Sequence, residues 1–365
     1  MAELQNQNRS ALNEGLSSTR QSYAAIDLCK FFSSICVIMI HCPPLLSFGN
    51  QANIWFFIVR IAVPFFFLSS AYFLFSKINR TETLSGKRKV LWNYVVRLVK
   101  LWLFWSFVYL IIRLVPAVIQ HKPLLWEAKL ILRDFVFSGI SNHLWFLPSL
   151  IFACLCVYFL EQHWDSRVIL SVAAVLFVIG LFDNTYAFVL PQSVQPLLLK
   201  LNALFCGTRN GLFFGFIYVA IGSYLSRKGQ FKIKQAVLLG GIAGSLLLLL
   251  AEHLVVYPRT ETYTSLDMWI FAVPATVLLF IWLTRLNLRN TPLTFRLREM
   301  SLLIYLIHPA FITGLGALLP LLGFGTLYES SLLYFTLTLL LSVLTAWAIA
   351  SLKNQKRSGD NPFRG

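Results

Sequence analysis

Long apolar runs, each close to twenty residues, constrain this chain more than any other feature of its sequence. A helix of about 20 residues crosses the roughly 30 Å hydrocarbon core of a bilayer. Ten such runs can be delimited: 24–46, 54–76, 94–115, 144–160, 168–189, 211–226, 235–256, 268–284, 301–323 and 331–352. Only 13% of the residues are charged, against about 25% in soluble domains. The pattern predicts an all-α, polytopic membrane protein and excludes a soluble enzyme, a secreted disulfide scaffold and a disordered chain.

Lys and Arg residues are distributed unequally between the two sides of these ten spans. If the N-terminus is cytoplasmic, the segments facing the cytoplasm contain 20 Lys and Arg residues and the outer loops contain 6. This bias follows the positive-inside rule, which also explains the net charge of +16 without a nucleic-acid partner. We therefore predict a cytoplasmic tail at 1–23, a ten-helix membrane domain at 24–352 and a second cytoplasmic tail at 353–365.

Two further segments carry predictions about the membrane. The first 23 residues lack an apolar core, which predicts that no signal peptide is cleaved and that the first span directs insertion. The outer loop 116–143 alternates apolar and charged residues in a way that favours an amphipathic segment on the membrane surface. The six cysteines form no metal-type pair, and we interpret them as small apolar residues.

Ionisable residues inside a membrane span are costly and mark candidate functional sites. The first span carries Asp27 and Lys30 near its cytoplasmic end and His41 near its outer end. His41 lies eleven positions after Lys30, so both side chains lie within about 20° of one helix face, roughly 16 Å apart along the axis. His41 is a candidate general base, although a histidine bonded at a helix end is an alternative for this residue alone.

Other polar residues extend this set. Arg97 and Lys100 lie one turn apart in the third span, where they either snorkel to headgroups or bind the phosphates of a donor. Arg60, near the outer end of the second span, either snorkels or binds a carboxylate or sugar hydroxyl of an acceptor. The remaining candidates for acceptor binding are His143, Trp145, Glu252 and His308, each of which also suits a structural role between helices or at the interface. No phosphate loop, zinc-protease motif or nucleophile elbow is present in the sequence, and no metal site is expected.

Five short motifs, taken together, resemble the membrane-bound acyltransferase 3 family. They are the Lys30-to-His41 spacing, Val63-Pro64-Phe65-Phe66-Phe67 with Ser70-Ala71-Tyr72, Arg97-x-x-Lys100, His143-Leu144-Trp145-Phe146-Leu147, and Ile304-Tyr305-Leu306-Ile307-His308-Pro309. They run in family order over nearly the whole chain, with Lys30, Lys100 and Ala71 replacing the commoner Arg, Arg and Gly. The chain resembles most the stand-alone O-acetyltransferase branch, which includes the enterobacterial common antigen enzyme, because no esterase-like domain follows the last span.

The resemblance implies an acyltransferase in the bacterial inner membrane with cytoplasmic acetyl-CoA as donor. Arg97 and Lys100 would hold the donor phosphates, and His41 would take the proton from an acceptor hydroxyl. Asp27 and Lys30 would pair with each other, and the outer residues would position a cell-envelope glycan or a related acceptor. Direct transfer and transfer through an acetylated His41 both fit the residues.

Two other classes of function are compatible with the same intramembrane charges. A secondary transporter or flippase for a polar or lipid-linked precursor would use them as a proton relay, although no paired broken spans indicate inverted repeats. A membrane sensor that catalyses no reaction is the other class, but it would not explain why Lys30 and His41 lie on one helix face. The identity of the acceptor, the acyl group (acetyl or succinyl), the oxyanion donor and the oligomeric state are not set by the sequence.

Overall fold

The structure is a computed structural model that describes residues 23–44, 56–119, 139–194, 207–229, 231–259, 266–324 and 330–359, and residues 129, 131, 135, 196, 197, 200 and 205. Residues 1–22 of the predicted N-terminal tail and more than half of the predicted amphipathic loop lie outside these residues. So does the end of the predicted C-terminal tail.

Ten helices follow one another in the described residues, and one overlaps each of the ten predicted spans. They are α1 (Ala24–His41), α2 (Ala62–Asn79), α3 (Leu84–Ile119), α4 (Phe146–Leu160), α5 (Ser166–Asp183), α6 (Phe216–Lys228), α7 (Gln235–Val256), α8 (Ala272–Arg285), α9 (Pro292–Leu321) and α10 (Ser331–Gly359). A one-turn helix, Phe56–Val59, precedes α2, and a π-helical turn, Gly211–Gly215, leads directly into α6. No strand is found among the described residues.

Seven membrane-crossing candidates have the length and apolarity that a bilayer requires, and α4 and α8 are shorter apolar helices. The prediction of an all-α, polytopic membrane protein is therefore confirmed. Orientation stays a prediction, since both faces of the bundle were assigned from charge alone.

The ends of α3, α5 and α9 differ from the predicted spans, because polar residues determine where these helices begin or end. α3 begins ten residues before its predicted span, because polar residues of the preceding basic stretch continue the same helix. α5 ends at Asp183, six residues before the predicted end. α9 begins with a capping box between Thr291 and Thr294, nine residues before its predicted span, and runs through Pro309.

The centre of the bundle is an aromatic core in which α2, α4 and α6 pack closely. Phe67 contacts the rings of Trp145, Phe146 and Phe214, with centroids 5.9, 4.7 and 5.6 Å away. Helix α6 lies so close to α2 that a Cβ added to Gly222 would be 2.6 Å from the Leu68 carbonyl oxygen. α1 packs against α9, which in turn packs against α10. This arrangement brings the ends of α1 to residues that are distant in sequence.

Candidate active site

Three histidines meet at the C-terminal end of α1. His41 is the last residue of α1, His143 precedes α4, and His308 lies within α9. The ring centroids of His41 and His308 are 5.4 Å apart, and those of His143 and His308 are 5.7 Å apart. His143 and His308 are buried whereas His41 is half-buried, so His41 is the most accessible of the three.

Hydrogen bonds orient the two buried histidines and leave one nitrogen of each unused. Nδ1 of His308 lies 3.1 Å from the Ile304 carbonyl oxygen, which fixes the proton on Nδ1 when the ring is neutral. Nδ1 of His143 lies 3.0 Å from the Ser141 hydroxyl oxygen. The Nε2 atoms of both rings are buried and have no hydrogen-bond partner among the described residues. Buried polar atoms are normally satisfied, so these two nitrogens indicate room for a ligand or water.

Two tyrosines hold the backbone around the histidine cluster, which we define as His41, His143 and His308. The Tyr305 hydroxyl donates to the His143 carbonyl, and the Tyr109 hydroxyl donates to the Leu306 carbonyl at 2.7 Å. Tyr109 also packs its ring edge-on to that of His143, with centroids 4.7 Å apart. These contacts tie α3, α9 and the segment before α4 together, and they fix the imidazole positions.

A second polar group, the outer charge cluster, consists of Arg60, Asp267 and Arg209. Arg60 and Arg209 each place a guanidinium nitrogen 3.3 Å from a carboxylate oxygen of Asp267. The Asn184 side-chain oxygen accepts from the backbone N–H of Asp267 at 2.9 Å and so anchors the carboxylate. All three charged residues interact electrostatically with His41. The two clusters therefore form one polar region.

The N-terminal end of α1, which is predicted to face the cytoplasm, carries a different cluster. Arg298 of α9 donates from Nε and Nη2 to one carboxylate oxygen of Asp27, at 2.9 and 2.6 Å. Asp27 is 2% exposed, whereas the Arg298 side chain is 48% exposed. Among the described residues, the carboxylate of Asp27 is thus hydrogen-bonded to Arg298, whereas Lys30, the partner that the resemblance implied, interacts with it electrostatically. The ammonium of Lys30 lies over the Phe73 ring, 4.9 Å from its centroid.

Arg97 belongs to this cytoplasmic cluster, because it interacts electrostatically with Lys30, as do Asp27 and Arg298. Its guanidinium lies over the Tyr94 ring, 5.4 Å from the centroid, and the side chain is exposed. Lys100 is also exposed, and no described contact links it to the cluster. We define the cytoplasmic cluster as Asp27, Lys30, Arg97 and Arg298.

The other predicted outer residues are placed differently. Trp145 lies beside the outer charge cluster, with the Arg209 guanidinium 5.3 Å from its ring centroid. Glu252 instead accepts the backbone N–H groups of Ile270 and Phe271, at 2.7 and 3.0 Å, at the start of α8. A carboxylate at a helix N-terminus is stabilising, so the contacts of Glu252 describe a structural cap.

Three charged residues of the site, Arg298, Arg209 and Asp267, were not predicted. Each lies just outside a predicted span, where a charge is ordinarily solvated. In the sequence, Asp27 indicates that a cationic partner exists, because a buried carboxylate in a span requires a cation. That partner, Arg298, lies 271 residues away in the chain. No group of three or more His, Cys, Asp or Glu side chains in the described part of the chain is arranged to hold a metal ion.

A helical bundle with a buried histidine cluster at one end of a helix and a cation cluster at the other defines an integral membrane protein with an internal polar site. A family model described as an acyltransferase domain, Acyl_transf_3, matches residues 23–351. The chain therefore belongs to the acyltransferase 3 family, as the sequence motifs predicted.

Similar proteins with assigned names are racemases. An amino-acid racemase from Enterococcus faecalis is 31% identical over 56% of this chain and 28% of its own length. A second amino-acid racemase from the same organism is 24% identical over 91% of this chain and 46% of its own length. A serine/alanine racemase from Enterococcus gallinarum is 25% identical over 79% of this chain and 41% of its own length. The aligned region thus covers less than half the length of each of these relatives, and no solved structure matches the chain.

Proposed function

We propose that this protein is an O-acetyltransferase of the bacterial inner membrane. It transfers the acetyl group of cytoplasmic acetyl-CoA to a hydroxyl of a cell-envelope glycan or a related acceptor. One observation carries the proposal: α1 connects a cation cluster at one end with a histidine cluster containing two unpartnered nitrogens at the other. A donor with phosphates at one end of a long flexible arm and a thioester at the other matches this arrangement.

The cytoplasmic cluster would bind the donor phosphates. Lys30, Arg97 and Arg298 carry three positive charges against the one carboxylate of Asp27, and Arg298 and Arg97 are open to solvent. Because Asp27 holds Arg298 through two hydrogen bonds, the guanidinium is oriented before a ligand arrives. Arg97 is the predicted phosphate contact that lies in this cluster, and Arg298 joins it.

His41 would act as general base. The acceptor hydroxyl loses its proton to the His41 imidazole as its oxygen attacks the thioester carbonyl carbon. The tetrahedral intermediate then collapses, the carbon–sulfur bond breaks, and the CoA thiolate takes the proton back from the imidazolium. The products are an acetate ester and free CoA. His308 and His143 have unpartnered Nε2 atoms beside His41 and would hold the acceptor hydroxyl or His41 in the orientation that this step needs.

The test is the release of free thiol by purified protein in nanodiscs, with acetyl-CoA and a crude envelope glycan. We expect glycan-dependent release that is lost in His41→Ala and retained in His163→Ala, which removes an exposed histidine after α4. Release by His41→Ala at the wild-type rate would refute the assignment of the base. Mass spectrometry of the wild-type protein after acetyl-CoA alone distinguishes direct transfer from an acetyl-His41 intermediate.

Secondary transport is a second candidate, favoured by the names of the relatives, which concern amino acids rather than glycans. The matched region covers most of this chain, so the membrane domain is the part that these relatives share with it. If the protein takes up labelled L-serine into proteoliposomes and does not consume acetyl-CoA, transport replaces acyl transfer as the proposed function.

A further inference from the structure

The outer charge cluster carries one more positive than negative charge. Two guanidinium groups share the single carboxylate of Asp267, each at 3.3 Å. The side chains of Arg60, Asp267 and Arg209 are 8%, 17% and 25% exposed, so water screens this excess charge only in part. A buried charge without a counterion is unfavourable inside a membrane protein, and a ligand anion would compensate it.

Donor capacity is also left over at this cluster. Nε of Arg60 is buried and has no hydrogen-bond partner among the described residues, and neither has Oδ2 of Asp267, which Arg209 meets as an ion pair. Arg60 bonds Asp267 through Nη1 and covers the Phe56 ring, with its guanidinium carbon 4.2 Å from the ring centroid. An Arg side chain offers five N–H donors in a planar fork that suits carboxylate and phosphate oxygens. The unpartnered donor and the excess charge therefore point to the same kind of ligand.

The position of the cluster relates it to the acceptor rather than the donor. Arg60, Arg209 and Asp267 interact electrostatically with His41, whereas Lys30 interacts with Asp27, Arg298 and Arg97 at the other end of α1. Arg209 also lies over the ring of the buried Trp145, and this cation–π contact holds its guanidinium in place. An anionic group bound here would place a neighbouring hydroxyl close to His41.

We propose that the acceptor carries a single negative charge next to its reactive hydroxyl, as a carboxylate or a phosphodiester, and that Arg60 and Arg209 bind it. The proposal deepens the acyltransferase function and rests on it. The charge count selects a monoanion, because one uncompensated guanidinium matches one negative charge. A phosphomonoester dianion would leave an excess negative charge in a buried site.

The test is protection of Arg209 from phenylglyoxal in the full-length protein, read residue by residue by mass spectrometry. Methyl β-D-glucuronide is the carboxylate probe, glycerophosphoglycerol is the phosphodiester probe, and methyl β-D-glucoside is the neutral control. Arg259, an exposed arginine on the predicted outer side, reports in the same spectra on effects unrelated to the site. We expect at least one anion to slow modification of Arg209 by about tenfold, the factor that corresponds to one charge-assisted hydrogen bond between the anion and the guanidinium. Modification of Arg259 should not change.

Two substitutions at Arg60 distinguish loss of the anion site from loss of the fold. Arg60→Gln should abolish the protection of Arg209, and Arg60→Lys should restore part of it, since the charge returns without the planar fork. Equal protection by the neutral glucoside, or no protection by either anion, would overturn the proposal. The anion that protects at the lower concentration identifies the carboxylate or the phosphodiester as the natural group.

Failure of this inference is distinguishable from failure of the acyltransferase function. Protection by an anion in a protein that does not consume acetyl-CoA would keep the anion site and remove the acyl transfer. Acetyl transfer to neutral and anionic glycans at equal rates, without protection of Arg209, would keep the transferase and remove the anion site.

Discussion

The two ends of α1 differ in how far their charged side chains are exposed to solvent. At the predicted outer end, His143, His308 and Arg60 are buried, and each keeps one nitrogen without a hydrogen-bond partner among the described residues. At the predicted cytoplasmic end, one buried carboxylate holds a half-exposed guanidinium, and a second guanidinium is exposed. On the proposed function the outer end positions the reaction, since burial strengthens every electrostatic contact there. The cytoplasmic end remains accessible to a solvated, highly charged ligand.

The largest effect should come from removing the base at the outer end. We expect His41→Ala to lower kcat by roughly 10²- to 10⁴-fold, the usual contribution of general acid–base catalysis. Acetyl-CoA binding should be retained, because the phosphates bind at the other end of the helix. Isothermal titration of acetyl-CoA alongside the thiol assay checks both statements, and loss of binding together with turnover would contradict this division of labour.

A second substitution tests the cytoplasmic end. Arg298→Gln leaves the Asp27 carboxylate buried with its two charge-assisted hydrogen bonds removed. We expect a loss of about 2 kcal/mol in stability, below the value for a fully buried pair because Arg298 is half exposed. The KM for acetyl-CoA should rise by roughly tenfold, with little change in kcat.

Thermal unfolding in detergent measures the first effect and steady-state kinetics the second. Arg298→Lys is the matched control, because it keeps the charge and loses the two-pronged contact. An unchanged KM in Arg298→Gln would restrict Arg298 to a structural role.

A smaller difference separates the two predicted phosphate contacts. Arg97→Ala should raise the KM for acetyl-CoA severalfold, because Arg97 is electrostatically coupled to Lys30. Lys100→Ala should change it by roughly twofold or less, as is usual for an exposed cation outside a network. Donor titrations of both variants decide the comparison, and a larger effect at Lys100 would move the donor site along α3.

The smallest effect on turnover is expected at Glu252, which lies on the predicted outer side but caps α8. Glu252→Gln should lower stability by about 1 to 3 kcal/mol, because the amide has only one acceptor oxygen and leaves one of the two backbone N–H groups without a partner. The KM values for donor and acceptor should stay at their wild-type values. A rise in acceptor KM without loss of stability would return Glu252 to the acceptor site.

Most of the fold could be predicted because the bilayer imposes a length and an apolar composition on each helix. Each predicted span overlaps a helix, and errors occur where that constraint ends, as at the start of α3 and the end of α5. Hydropathy recognises the apolar part of a helix and not its polar continuation. A proline disfavours a helix interior, yet α9 continues through Pro309, where α9 packs against α1.

The site could be predicted only where its residues lie on one element. The placement of Lys30 and His41 on one face follows from helix periodicity. The partners of Asp27 and Arg60 are 271 and 207 residues away, so tertiary packing alone determines them. Arg209 and Asp267 lie in predicted outer loops, where charges are common, and no periodic pattern distinguishes them from solvated residues.

The glycines of α6 have a consequence for motion. A Cβ at Gly222 would lie 2.6 Å from the Leu68 backbone oxygen, and one at Gly211 would lie 2.5 Å from that of Ser149. Backbones in such close approach cannot rock past one another without separating, so α2, α4 and α6 behave as a fixed wall. A cycle that alternately opens the protein to each side would need this wall to part.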